Sequence, residues 1–410
     1  MNEPAPAAPI DARRPEPGLI RRVAILCATA QPGSDGVGDY AARVASELER
    51  RGIGVCLIAL RDRYVAGPEP RREPVAGIDT LRLPGSASDG QRAEWLSAAL
   101  EALRPDCLYL QVVCWGLAPR GILLPMPIQL AGVLKQYPVV LNAHELWLGL
   151  ERGASIKHRV WGNLQRSTLL RFFTSFRPVR VVTSTPDYAA VLARHGWPSV
   201  LLPIASNIAV TAEDAQQVWP QIAACLPEGA GSRSDHLVAV TFATIVPQWK
   251  PSAALAWLAR EAKMRGQRFV FVAVGRTHAA GRERLAELQR ALGSEGSVVT
   301  LGERPAPFIS ELLRDADIGM PSTPANFLGK SGAAAAMRIH GLPLLLVDRG
   351  IRLRGIDVER SLPWPGCEIF DADQPTPLFA LLGAKHPPRD DIGDIADRLL
   401  EIMTGARNAP

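Results

Sequence analysis

Between Phe327 and Asp348 the chain reads FLGKSGAAAAMRIHGLPLLLVD, and Lys330 and Ser331 stand where its chemistry is most concentrated. The alanine-rich stretch predicts a helix over Gly332 to Ile339, Gly341 can end it, and Leu344 to Val347 reads as a buried strand. The start of a helix offers unpaired amides and the positive end of its dipole, and Lys330 adds an ammonium at the same mouth. That combination attracts phosphate, with Gly332 supplying backbone. Ser331 can cap the helix or donate to the same anion. A solvated lysine ahead of an ordinary capped helix would read the same way, so the surrounding elements must decide.

Three other places carry residues of the same kind. Asp35-Gly36-Val37-Gly38-Asp39 lies between a first apolar run and a helix expected from Tyr40 to Arg51. Gly36 and Gly38 let backbone come close to a ligand. Asp39, directly before the expected helix, is its expected N-cap, which leaves Asp35 the freer carboxylate. His144 and Glu145 follow the strand-like run Val139 to Ala143. A histidine at a strand end can exchange a proton near neutral pH, or simply be satisfied by backbone. Lys250 closes a loop after the run Leu237 to Ala243.

The elements that must hold these residues alternate. Val23 to Ala28, Val55 to Leu60, Leu81 to Leu83, Leu108 to Val113, Val139 to Ala143, Val181 to Thr185 and Val200 to Pro203 read as strands, with helical stretches such as Gln91 to Leu103 between them. A second series repeats at Leu237 to Ala243, Phe269 to Val274, Val298 to Leu301, Ile318 to Met320 and Leu344 to Val347. Alternation of this kind predicts an α/β fold of two doubly wound, Rossmann-like domains with an interdomain cleft at the carboxyl ends of the strands. The expected division is a disordered tail over 1–18, a first domain over 19–210, a linker over 211–235 where the pattern is lost, a second domain over 236–385, and a closing helix and tail over 386–410.

Composition narrows the function classes. With 21% charged and 47% hydrophobic residues the chain has the balance of a globular enzyme, and 410 residues favour two cores over one. A net charge of +5 suits anionic small molecules or an acidic membrane surface and is too dispersed for nucleic acid. Cys27, Cys56, Cys107, Cys114, Cys225 and Cys367 form no CxxC pair and no zinc-like cluster with histidine, which points to a reducing compartment and no structural metal. Residues 1–18 lack an apolar export signal, and no segment approaches a charge-free transmembrane span.

Five stretches then fall in a recognisable order: GVGDYAARVASELERRG from Gly36, LNAHELW from Leu141, VVTSTPDYAAVLARHG from Val181, TFATIVPQWKP from Thr241, and the opening segment with GLP at Gly341. Together they resemble a glycosyltransferase of the two-Rossmann GT-B architecture, of the retaining, family-four-like kind that uses nucleotide sugars. The resemblance implies donor contacts from Gly36, Gly38, Thr244, Lys250, Lys330, Ser331 and Gly332. It implies catalytic roles for His144 on the donor sugar and for Lys250 and Lys330 on the departing diphosphate. Asp35, Glu145 and Trp147 are the implied acceptor side.

The resembled family departs from this chain at two points. Its loop arginine falls here on Thr244 or Ile245, and its paired glutamates fall on Leu328 and Ala336. The missing carboxylates keep two alternatives open, a nucleotide-sugar epimerase of the same fold and a non-catalytic nucleotide-sugar-binding protein. No cofactor is expected beyond the nucleotide sugar as substrate, and no metal, since the pair Asp371 and Asp373 reads as a solvated turn. The acceptor class stays open among saccharide, lipid-linked and small-molecule compounds. The basic, aromatic-rich stretch Ile156 to Arg180 is either a crossover helix or a peripheral contact with anionic lipid. The expected location is the cytoplasm, with the inner face of the membrane as the option that stretch adds.

Overall fold

The computed structural model describes residues 19–123, 127–211, 218–227, 231–242, 244–359 and 362–407, without the side chains of residues 127 and 128. The expected tail over 1–18, Ala243 and parts of the expected linker lie outside them.

The first domain is one eight-stranded sheet with helices on both faces. Its strands are β1 (Arg22–Cys27), β2 (Gly54–Asp62), β3 (Arg71–Val75), β4 (Ile78–Pro84), β5 (Cys107–Val112), β6 (Val139–Ala143), β7 (Arg180–Thr183) and β8 (Ser199–Leu201). Its helices are α1 (Gly36–Arg50), α2 (Asp89–Leu103), α3 (Cys114–Leu117), α4 (Pro127–Leu134), α5 (Ile156–Phe176) and α6 (Pro186–Arg194). The order β3-β4-β2-β1-β5-β6-β7-β8 is parallel throughout except for β3, which pairs antiparallel with β4 at the edge. Strand β1 is central, with Ile25 opposite Leu57 of β2 on one side and Tyr109 of β5 on the other. It is buried from Val23 to Cys27, as a strand covered by helices on both faces must be.

After α7 (Val218–Ala223), which lies inside the expected linker, comes the second sheet: β9 (His236–Phe242), β10 (Arg268–Val274), β11 (Gly296–Gly302), β12 (Ile318–Gly319), β13 (Leu344–Leu346) and β14 (Cys367–Ile369). They are ordered β11-β10-β9-β12-β13-β14, the two mononucleotide halves of a doubly wound sheet meeting between β9 and β12. Helices α8 (Ser252–Met264), α9 (Ala279–Leu292), α10 (Ala306–Asp315), α11 (Gly332–Ile339) and α12 (Leu378–Gly383) complete the domain. Two strands went unanticipated. β3 is the polar run RREPV, held only at an edge where Pro74 is tolerated, and β14 has three residues with Glu368 exposed.

The last helix, α13 (Ile392–Arg407), returns to the first domain. Its buried Ile395, Leu399 and Met403 join the layer of Val23, Ile25 and Leu48, and Arg51, directly after α1, is paired with Asp397. The closing segment therefore belongs to the first domain's core. The domains also meet directly. Arg152 N–H donates to Arg352 O at 2.8 Å, Arg354 N–H to Leu150 O at 2.8 Å, and Ile204 N–H to Gly329 O at 3.2 Å. A Cβ on Gly329 would stand 2.2 Å from Ser184 O, so this approach of the two domains requires glycine.

Candidate active site

Both sheets reverse their strand order at a point facing the same cleft. In the first domain the reversal lies between β1 and β5, with the start of α1 and residues after Val112 at the opening. In the second it lies between β9 and β12, with the start of α11 below. Three cavities occupy this cleft, of about 810, 510 and 440 Å³. Trp115 lines the first two, Asp35 and Val113 the second and third, and Glu145, Phe242, Lys330, Gly332 and Ala333 the first and third. They are compartments of one site.

On the second-domain side, Ser331 is the N-cap of α11 as the sequence suggested, its Oγ accepting from Ala334 N–H at 3.2 Å and from Thr323 Oγ at 2.9 Å. The amides of Gly332 and Ala333 precede the helical ladder, and both residues line the 810 and 440 Å³ cavities. Lys330 has a quarter of its side chain exposed. Its Nζ donates to Tyr188 Oη at 3.2 Å and Glu145 Oε1 at 3.4 Å, and stands over the rings of Tyr188 and Phe327 at 5.2 and 5.3 Å. Burial lowers its pKa, but Tyr188 and Glu145 outweigh that and hold it above the ordinary lysine value. The ammonium is charged and aimed into the cleft.

Thr244 lines the same cavity, whereas Lys250 does not. Lys250 is exposed at the foot of α8, because its neighbour Trp249 takes the inward position and is wholly buried. The second cation of the cavity is Arg349, half-buried just beyond β13. Sequence reading missed it, although its place after the carboxyl end of a buried strand was the available signal.

On the first-domain side the helix begins earlier than expected. Asp35, not Asp39, is the N-cap of α1, with Oδ1 accepting from Val37 N–H at 3.0 Å and Oδ2 from Thr29 Oγ at 2.9 Å. Asp39 lies within the first turn and accepts from Gly33 N–H at 2.9 Å; burial raises its pKa, opposed by that bond. The two glycines also separate in role. Gly36 lines the 440 Å³ cavity, while a Cβ on Gly38 would meet Thr29 O at 2.4 Å, so Gly38 serves helix-to-strand packing rather than ligand approach. Glycine's poor helix propensity had hidden a helix start that this packing and the Asp35 cap support.

His144 is buried and lines the 440 Å³ cavity. Its Nε2 lies 2.7 Å from Gln111 Oε1, which also accepts from Asn142 Nδ2 at 3.3 Å. Asn142 continues to Tyr109 Oη at 2.8 Å, and Tyr109 to Tyr40 Oη at 3.1 Å. Gln111 Oε1 can only accept, so His144 carries its proton on Nε2 and keeps a lone pair on Nδ1. Burial, and then the Lys330 charge, push its pKa down to about 3. The ring is neutral and works as a hydrogen-bond acceptor rather than a proton carrier near pH 7.

Glu145 and Trp147 both line the 810 Å³ cavity. Trp147 is largely buried, edge-on to His195 at 5.4 Å, and Glu145 is the partner of Lys330. Leu328 and Ala336, at the positions of the resembled glutamates, are fully buried among apolar side chains, so no carboxylate enters the cleft from there. Asp371 and Asp373 form an exposed turn, with Asp373 N–H donating to Asp371 Oδ1 at 2.9 Å. Among the described residues no group of three or more His, Cys, Asp or Glu side chains is placed to hold a metal ion.

Residues 35–205 match the glycosyl transferase 4-like domain family. That match falls within the first domain. Solved structures extend the likeness to both domains. HepE of Anabaena, in complex with UDP and glucose, superposes with a TM-score of 0.54 at 12% identity, covering 94% of this chain and 97% of that one. WaaG, a glycosyltransferase involved in lipopolysaccharide biosynthesis, gives 0.53 at 13% identity, covering 93% and 100%. The UDP-GlcNAc 2-epimerase of Neisseria meningitidis, bound to UDP-GlcNAc, gives 0.51 at 13% identity, covering 95% and 100%. At these identities the likeness is one of fold, and that fold is GT-B. No curated protein matches this sequence. The GT-B arrangement joins the domain that carries this match to a second doubly wound domain, as the sequence resemblance implied.

Proposed function

We propose that the protein transfers a sugar from a nucleotide-sugar donor to an acceptor hydroxyl, with the donor diphosphate at the start of α11. The observation that carries this reading is the meeting of Lys330, the free amides of Gly332 and Ala333, and neutral His144 on one cavity beside the glycosyl transferase 4-like loop at Gly36. In such a transfer the bond from the anomeric carbon to the diphosphate oxygen breaks and its electron pair leaves with the diphosphate. A new bond forms to the acceptor oxygen, whose proton goes to the departing phosphate or to solvent.

Negative charge therefore grows on the phosphate, where Lys330, Arg349 and the helix start are aimed. His144 Nδ1 accepts a donor-sugar hydroxyl. Asp35, held by Thr29 and Val37, borders both the reaction compartment and the 510 Å³ cavity. That adjoining compartment favours transfer over epimerisation, which needs no acceptor. Lys250, at the surface, would touch phosphate only after a loop movement.

Cations on the leaving group support activity without a divalent ion, and we extend the reading to retention of configuration on the resemblance alone. Buried free thiols at Cys27, Cys56, Cys107, Cys114 and Cys367 agree with a cytoplasmic setting. No described helix is long and apolar enough to cross a membrane. The surface suited to membrane contact is α5, whose Ile156, Val160 and Leu164 are 77, 65 and 44% exposed while Leu169, Phe172 and Phe173 pack into the core.

The test is product analysis with UDP-hexoses in excess chelator, with and without a phosphosugar, lipid and glycoside acceptor panel. A new glycoside formed only with acceptor supports transfer. Conversion of the donor alone to its epimer, or binding without any turnover, contradicts it.

A further inference from the structure

The 510 Å³ cavity beside the reaction compartment is cationic for a reason visible in its surroundings. Arg61 and Arg63, at and just beyond the end of β2, both line it. Four described carboxylates near it are already engaged. Asp62, wholly buried between them, accepts from Arg82 at 2.8 Å, Tyr64 N–H at 3.0 Å and Ala30 N–H at 3.1 Å. Glu73 is bound to the same Arg82 at 2.6 Å, Asp89 is paired with Arg92, and Asp35 is held by Thr29 and Val37.

Among the described residues neither Arg61 nor Arg63 is in a salt bridge; Arg63 donates to Tyr64 Oη at 2.9 Å. Burial, followed by the charge of Arg92, lowers the pKa of Arg61, offset only in part by Asp89, which is itself paired with Arg92. A guanidinium pair in a concave site matches the oxygens of a phosphate, which can take parallel N–H bonds from each. The cavity falls in the range of small-molecule sites, roughly 300–1,000 Å³, and Trp115, 45% exposed, stands between it and the 810 Å³ compartment as a flat apolar surface for a sugar ring or chain.

We infer that the acceptor carries a phosphate, which Arg61 and Arg63 hold while the acceptor's hydroxyl reaches the reaction compartment past Asp35. This assignment rests on the transferase reading for the word acceptor, but the phosphate site itself stands on the arginine cavity. The same chemistry is met in a sugar phosphate and in a lipid phosphate headgroup.

Binding to the full chain is measured by calorimetry without nucleotide, using glucose 6-phosphate, glucose, glucuronate and dihexanoyl phosphatidic acid as probes. The expected result is that at least one phosphate probe binds about tenfold or more tightly than glucose and glucuronate, and that the preferred one names the source. Arg61→Gln/Arg63→Gln loses that preference by about tenfold, whereas Lys330→Ala retains it. Arg63→Glu, altering an exposed side chain, reports the same loss should the double variant fold poorly. Equal binding of glucose and the phosphates, equal binding of glucuronate, or full phosphate affinity in the arginine variants each overturns the inference. Nucleotide-induced thermal stabilisation, followed in parallel, keeps the two readings apart. If nucleotides give no stabilisation yet the arginine-dependent phosphate binding persists, the transferase reading fails and this site remains.

Discussion

Lys330 Nζ lies 3.4 Å from Glu145 Oε1, so the mouth of α11 in the second domain is tied to the loop after β6 in the first. The pair is partly exposed, 25% for Lys330 and 49% for Glu145, and its attraction is correspondingly modest. Glu145 occupies the ammonium that a diphosphate needs. Glu145→Gln is expected to tighten nucleoside diphosphate binding about twofold to fivefold, the equivalent of an exposed pair's roughly 0.4–1 kcal/mol. Calorimetry with the preferred nucleotide checks it, and weaker binding would show that Glu145 contacts the ligand instead.

The neutral state of His144 has a stability signature. Its pKa is about 3 in the folded chain, below the ordinary 6.5. Below pH 6.5 the unfolded chain takes up a proton that the folded chain refuses, so the full stability is present above 6.5 and is lost as pH falls toward 3. Between pH 6.5 and 5 this one group contributes a loss of about 2 kcal/mol at most. Buried His340 is shifted in the same direction and adds its own loss, so the comparison must be with a variant. Urea unfolding at pH 7 and pH 5 should show a smaller loss in His144→Gln than in the parent chain. Identical losses would mean that His144 titrates normally.

Much of the fold was open to reading because buried parallel strands announce themselves. Val139–Ala143 and Gly332–Ile339 have the boundaries their apolar run and alanine content imply. The polar edge strand β3 and the three-residue β14 carry no such signal. At the site, Ser331 as cap and Lys330 at the helix mouth followed from local chemistry. The exchange of roles between Asp35 and Asp39 did not, since it depends on Gly38 fitting beneath Thr29 O, a contact between separate elements. The outward turn of Lys250 has a similar reason. The inward place in that loop belongs to Trp249, which no spacing announced.

The glycine loop offers a paired test. Alanine at Gly38 would put a Cβ 2.4 Å from Thr29 O, whereas at Gly36 the nearest atom is Asn207 Nδ2 at 3.8 Å. Gly38→Ala is expected to cost about 1–3 kcal/mol, as overpacking does, and Gly36→Ala to leave stability nearly unchanged. Denaturant midpoints of the two variants decide. Equal midpoints would place the start of α1 differently.

Helix α5 predicts a surface property. Ile156, Val160 and Leu164 lie at successive i+4 positions and are exposed, with Lys157 and Arg159 beside them also exposed. The full chain should float with anionic vesicles at low salt, and Ile156→Ser/Val160→Ser/Leu164→Ser should abolish flotation without lowering the melting temperature. Absence of flotation by the parent chain removes the membrane from the account.

The central claim is that the mouth of α11 binds the diphosphate of a nucleotide sugar, and thermal stabilisation by UDP, GDP, dTDP, ADP, CMP and NAD measures it most directly, with Lys330→Ala alongside. A ligand present at about 100 times its dissociation constant stabilises the native state by about 2.7 kcal/mol. One nucleoside diphosphate should raise the melting temperature of the parent chain, and the shift should largely vanish in Lys330→Ala. No shift with any of the six, or an equal shift in the variant, would contradict a diphosphate site at Lys330.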